Sequence, residues 1–155
     1  MDSKHILLVE DSQYDVELIL TALAENHVAN EVVITRDGEE ALNYLYRRGA
    51  FEQRPECNPA VVFLDLKMPK VDGLEVLRQI KADPVLKAIP VVMLTSSRED
   101  QDLVSSYRLG VNAYVVKPVN FSEFLEAISQ VGMFWGALNQ PPPRQCAHGV
   151  KEPQG

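Results

Sequence analysis

The sequence predicts an α/β fold: a doubly wound, five-stranded parallel sheet with helices on both faces. The first observation is five apolar runs of strand length along the 155-residue chain, at 6–9 (ILLV), 32–35 (VVIT), 61–64 (VVFL), 91–94 (VVML) and 113–116 (AYVV). Most lack the polar alternation of a strand that faces water, so they read as strands buried on both faces. The second is that segments of helical period fall between the runs, an alternation that implies parallel strands joined by crossover helices. The third is composition. At 46% hydrophobic and 24% charged, the chain has the means to bury one sizeable core.

The helical segments are legible in turn. Val16, Ile19, Leu20 and Leu23 repeat at i, i+3, i+4 and i+7, a stripe facing a core. Asp37-Gly38 leads into a shorter helix over 39–48, with Ala41, Leu42 and Leu45 on its apolar face. Leu74, Leu77 and Ile80 mark a third helix, which Asp83-Pro84 stops. A more polar fourth helix over 99–109 ends at Gly110, a favoured terminator. The fifth starts near Asn120 or Phe121, with Asn120 and Ser122 as candidate caps, and carries Phe124, Leu125, Ile128, Val131, Trp135 and Leu138. The connection over 49–60 (GAFEQRPECNPA) is long against the usual span of about 2–6 residues. Residues 141–155 have almost no apolar content and read as a disordered tail, which leaves 1–140 as one domain.

Charge and cysteine usage exclude several classes. A net charge of −7 opposes non-specific nucleic-acid binding, which needs a basic surface to neutralise phosphate. No apolar run approaches the roughly 20 residues of a membrane span. The opening MDSKHILLVED also lacks the pattern of a secretory signal. Cys57 and Cys146 stand far apart with no metal-ligand spacing, so two free thiols in a reducing cytoplasm are expected.

Open parallel sheets bind ligands beyond the C-terminal ends of their strands. Those ends are Glu10-Asp11, Asp65, Thr95-Ser96 and Lys117-Pro118. Three carboxylates gathered at one edge repel one another unless a cation joins them, and an all-oxygen donor set suits Mg²⁺. An aspartate there can attack phosphorus and form an aspartyl phosphate, with Lys117 and the Thr95 hydroxyl binding phosphoryl oxygens. Singly, each residue has an ordinary reading. Glu10-Asp11-Ser12 could simply begin a helix, Asp65 could accept N–H groups in a turn, and Lys117-Pro118 could mark a loop. Their joint occurrence at successive strand ends carries the argument.

The segments "ILLVEDS", "VVFLDLKMPKVDGLEVL", "PVVMLTSS" and "GVNAYVVKPV", in this order and spacing, resemble the receiver domains of two-component response regulators over about residues 4–138. The resemblance implies the strand order 2-1-3-4-5 and makes Asp65 the phosphoacceptor. It implies that Asp11 holds Mg²⁺ directly and Glu10 through water, joined by Asp65 and the backbone carbonyl of Lys67. Thr95 becomes the switch hydroxyl, Lys117 the phosphoryl-pairing lysine and Tyr114 the switch aromatic, while Met68-Pro69 and Gly73 shape the loop after the acceptor. Lys67 and Ser97 occupy the positions that tune attack by water. A sensor histidine kinase is the implied partner. The long 49–60 connection and the last helix with Phe134-Trp135 resemble the subgroup paired with bacterial and cyanobacterial phytochrome kinases.

A helix over 121–138 would span roughly 27 Å, more than the roughly 17–20 Å of a typical strand. Its overhanging end leaves Phe134, Trp135 and Leu138 to be covered. A symmetric homodimer through the fourth helix, fifth strand and fifth helix would do this, with Tyr107 and Tyr114 on the same face. The alternative is a helix end that folds back on its own domain. Two other classes fit less well. A haloacid-dehalogenase-type phosphohydrolase needs a second Asp two residues after its nucleophile, where this chain has Lys67. A flavodoxin-like phosphate loop would not read "EDSQYD". The chain is therefore expected to be a signalling phosphoacceptor and not an enzyme acting on an external substrate.

Overall fold

The computed structural model describes residues 5–25, 31–55, 57–68, 70–95, 110–111, 113–116 and 122. Five strands, β1 (Ile6–Val9), β2 (Val32–Thr35), β3 (Val61–Asp65), β4 (Val91–Thr95) and β5 (Ala113–Val116), form one sheet. All neighbours are parallel and the order is β2-β1-β3-β4-β5. From β1 the chain first steps outward to β2, then returns to β3 on the other side of β1 and continues outward. The reversal lies between β1 and β3, and that is where an open α/β sheet places its crevice. β3 and β4 each run one residue beyond their apolar runs, so Asp65 and Thr95 belong to the ladder.

Alternation along each strand feeds two cores, because successive side chains point to opposite faces. Ile6, Leu8, Val61, Phe63, Val92 and Leu94 meet Val16, Ile19 and Leu23 of α1 (Gln13–Glu25). Leu7, Val9, Val62, Leu64, Val91 and Met93 meet Ala41, Leu42 and Leu45 of α2 (Gly38–Tyr46) and Val76, Leu77 and Ile80 of α3 (Gly73–Ala82). The α2 stripe is the one the helical period picks out; on α1 Leu20 is only partly buried, and on α3 Val76 takes the buried place expected of Leu74, which packs partly buried against the same core. Each large apolar side chain sealed in this way contributes roughly 1.5–3 kcal/mol. Asp37 and Asp72 cap α2 and α3 by accepting the N–H groups of Glu40 (2.8 Å) and Glu75 (3.0 Å). α2 ends at Arg47, whose φ of 57° takes the left-handed conformation common at helix C-termini.

The long connection before β3 is ordered. It opens with a 3-10 turn over Gly49–Phe51 and is then held by Arg54. The Arg54 Nε donates to the Tyr44 carbonyl at 2.7 Å, and one terminal nitrogen donates to the carbonyls of Pro55 (2.7 Å) and Cys57 (3.0 Å). Its guanidinium carbon lies 4.1 Å from the Tyr44 ring centre, a cation–π contact. The Tyr44 hydroxyl in turn hydrogen-bonds His5 Nε2 at 2.8 Å. Cys57, buried in this connection, is disulfide-bonded, which corrects the expectation of free thiols.

The expected fourth helix, the fifth apart from the helical and exposed Ser122, and the 141–155 tail lie outside the described residues, as do Pro69, Ser96, Ser97, Tyr107, Lys117, Phe134, Trp135, Leu138 and Cys146. Among the described residues, no helix is long and apolar enough to cross a membrane.

Candidate functional site

The crevice between β1 and β3 is built from strand ends. Glu10 follows β1 directly and its N–H donates to the Thr35 carbonyl at 3.0 Å, which extends the β1–β2 pairing by one residue. This anchoring holds Glu10 at 0% exposure. One Glu10 carboxylate oxygen accepts the Ser12 N–H at 3.2 Å. Ser12 Oγ accepts the Asp15 N–H at 3.3 Å and so caps α1. Because Ser12 does the capping, the exposed Asp11 is left to face the crevice. Asp65 closes β3 opposite Leu94, is 3% exposed, and is followed by a Leu66 N–H donated to the Leu94 carbonyl at 2.9 Å.

These placements bring together the three acids that the sequence singles out. One carboxylate oxygen each from Glu10, Asp11 and Asp65 lies within 4.8 Å of the other two. Each ionised pair at that separation costs about 3 kcal/mol at an effective dielectric of about 20. Two of the acids are also buried, which raises the penalty on their charged forms. A hard divalent cation fits the donors: all are carboxylate oxygens, no sulfur or imidazole takes part, and Asp11 leaves one side open to water. Lys67, two residues beyond Asp65, is exposed at the rim.

Thr95 ends β4, beside β3, at 1% exposure. Tyr114 of β5 is level with Met93 and packs, half-buried, against the core on the α2–α3 side. Alternation puts Met93 and Thr95 on one face of β4, so Thr95 and Tyr114 share a face of the sheet. Lys117 follows β5 and lies outside the described residues, so its approach to the acids stays an expectation.

One contributor was visible to sequence reasoning only through the family resemblance. At Gly73, the first residue of α3, an added Cβ would lie 2.2 Å from the Asp65 carbonyl oxygen and 2.8 Å from Leu66 Cα. The Gly73 N–H donates to the Leu66 carbonyl at 2.9 Å. α3 is thus seated directly against the backbone of the acid-bearing strand. The signal that could have found it is the pair of Asp-Gly steps, Asp37-Gly38 and Asp72-Gly73, each a cap followed by the first helical residue.

Comparison with known proteins agrees with this arrangement. The model of the response regulator receiver domain matches residues 6–129. The response regulator Rcp1 of Synechocystis sp. is 42% identical over 132 residues, which cover 85% of this chain and 88% of that protein. A structure of Rcp1 in its Mn²⁺-bound form superposes with a TM-score of 0.73 at 40% identity, over 90% of this chain and 99% of that one. The bacteriophytochrome response regulator AtBRR is 60% identical, with a TM-score of 0.80 over 90% of this chain and 100% of that one. The phosphorylated cyanobacterial phytochrome response regulator RcpA is 42% identical, with a TM-score of 0.74 over 92% of this chain and 100% of that one. A parallel sheet in this order, acids gathered at its switch point and a family match along most of its length agree: the chain belongs to the response regulator receiver domain family.

Proposed function

We propose that this protein is a phosphorylation-controlled signalling switch that accepts a phosphoryl group from a sensor histidine kinase on Asp65. The observation that carries the reading is the meeting of Glu10, Asp11 and Asp65 oxygens within 4.8 Å at the end of the buried strand β3. An Asp65 carboxylate oxygen attacks phosphorus, the P–N bond of the donor phosphohistidine breaks, and the departing imidazole nitrogen keeps the electron pair and takes up a proton. The product is an acyl phosphate. Asp11 directly, Glu10 through water, Asp65 and the Lys67 carbonyl would hold Mg²⁺. When bound, the ion supplies neutralising charge to the acids and the phosphoryl oxygens.

Lys117 pairs with one phosphoryl oxygen, and the Thr95 hydroxyl donates to another. That donation draws Thr95 toward the acceptor, and Tyr114, on the same face, moves into the space it leaves. The altered surface on β5 and the adjoining helices then binds a partner or changes a homodimer built on Tyr107, Phe134, Trp135 and Leu138. Similarity to AtBRR and RcpA supports a phytochrome-type kinase as donor, and the Mn²⁺-bound Rcp1 structure supports a divalent ion at the acids. No turnover of an external substrate is part of this proposal.

The test is intact mass after incubation with Mg²⁺ and acetyl phosphate, with Asp65→Asn alongside. The parent is expected to gain one phosphoryl mass, the variant none, and a chelator is expected to prevent the gain. A parent that binds Mg²⁺ but gains no mass from acetyl phosphate or a phosphorylated kinase would overturn the proposal.

A further inference from the structure

We infer that Gly38, at the start of α2, is a positioning residue for the acid site, because it lets α2 seat the N-terminus of α3 against the backbone of Asp65. The inference rests on the phosphoacceptor reading of Asp65 and deepens it.

Gly38 is helical and does not have a positive φ; among the described residues Gly49 and Gly110 are the glycines that do. Backbone conformation therefore does not require glycine at this position, and helix propensity alone favours alanine. What requires it is space. A Cβ on Gly38 would stand 1.9 Å from the carbonyl oxygen of Val71, 2.7 Å from its carbonyl carbon and 2.8 Å from its Cβ. The nearest atoms are backbone, so no side-chain rotation relieves the clash.

Val71 and Asp72 lead straight into Gly73, whose own missing Cβ would strike the Asp65 carbonyl. The chain entering α3 is thus held by two close glycine contacts, Gly38 against Val71 and Gly73 against the Asp65–Leu66 backbone. An atom added at Gly38 pushes Val71, and with it Gly73, toward the strand end that carries the acceptor. α2 cannot easily yield. Asp37 caps it through the Glu40 N–H at 2.8 Å, and the Glu40 carboxylate accepts the Arg36 N–H at 2.8 Å, a bracing similar to a capping box.

Lys70 adds ion pairs across the same contact, at 3.6 Å to both Asp37 and Glu39. Its side chain is 60% exposed, so these pairs are weak beside the steric contact.

The test measures Mg²⁺ affinity by calorimetry and the acetyl phosphate reaction rate against Mg²⁺ concentration, on the full chain. Gly38→Ala is expected to weaken Mg²⁺ binding by about tenfold, the scale seen when the support behind metal ligands is disturbed. Saturating Mg²⁺ should largely restore its rate. A variant that only lost folded protein would instead be slow at every Mg²⁺ concentration. Ala41→Gly, buried on the same helix, is the control, expected to lower thermal stability while leaving Mg²⁺ affinity within about twofold of the parent, since it touches no ligand support. Lys70→Gln should also stay within about twofold, as exposed ion pairs contribute little. If Gly38→Ala does not fold, Val71→Gly slackens the same contact without adding an atom and should weaken Mg²⁺ in the same direction.

A folded Gly38→Ala with the parent's Mg²⁺ affinity overturns the inference, as does an unchanged Val71→Gly where Gly38→Ala is unfolded. In both cases a parent that binds Mg²⁺ and takes phosphate leaves the proposed function standing. A parent that binds no Mg²⁺ overturns both.

Discussion

The two ends of the sheet handle buried polarity in opposite ways. At the N-terminal end the Arg54 guanidinium is held by the carbonyls of Tyr44, Pro55 and Cys57 and by the Tyr44 ring, and Tyr44 bonds onward to His5. Each of these polar groups has a partner of opposite character, so the cluster stabilises the fold and orders the connection before β3. At the C-terminal end three groups of the same sign meet within 4.8 Å. Ionised carboxylates so close repel one another, and a divalent cation relieves that repulsion. The contrast separates a polar cluster that supports the structure from one that the proposed phosphoacceptor role would use.

The contrast can be broken or sharpened by experiment, and the largest effect is expected at Asp65. Asp65→Asn should abolish phosphoryl gain in intact mass while raising the metal-free melting temperature, because it removes one charge from a repelling group. A variant that melts lower than the parent would show that the acids are already compensated within the protein.

Next in size is Mg²⁺ itself. At 100 times its dissociation constant it should stabilise the parent by about 2.7 kcal/mol in thermal or urea unfolding. Asp65→Asn should lose a large part of that gain.

Arg54→Ala should cost about 2 kcal/mol in urea unfolding, by removing a charged donor and leaving its carbonyl acceptors with fewer partners. Its Mg²⁺ affinity should match the parent's. A change in affinity there would mean that the two ends are coupled.

The smallest effect concerns Tyr44, whose phenol pKa is raised chiefly by burial, with Arg54 opposing. The folded state therefore keeps the proton longer than the unfolded chain. The resulting stability is fully present below the ordinary tyrosine pKa of about 10 and is lost as pH rises through the raised folded value. Urea midpoints between neutral and strongly alkaline pH should fall less steeply in Tyr44→Phe than in the parent.

Most of the sheet was legible in the chain because a strand buried on both faces has to be an unbroken apolar run. The limits of β1 follow from this rule; β2, half-buried along Val32–Ile34 and ending on the polar Thr35, and β5 match their expected limits without obeying it fully, and β3 and β4 run one residue beyond their apolar runs, at Asp65 and Thr95. Those two residues, like Thr35 at the end of β2, are polar residues held in the ladder, which apolarity alone would leave out. The acid triad was legible because strand ends of a parallel sheet converge on one edge. The 49–60 connection was not, since its order depends on Arg54 reaching back to carbonyls and a ring on α2.

The sequence by itself determined the class of fold, the strands and apolar helix stripes, and the residues that gather at the sheet's switch point. Polarity repeated at the period of a strand or a helix is a local property, and each segment carries its own. Only the tertiary structure decided that Gly38 must be small, that Arg54 holds the long connection, and that Gly73 touches the backbone of Asp65. These are contacts between segments distant in sequence, set by how closely packed elements approach, and no single segment contains that information.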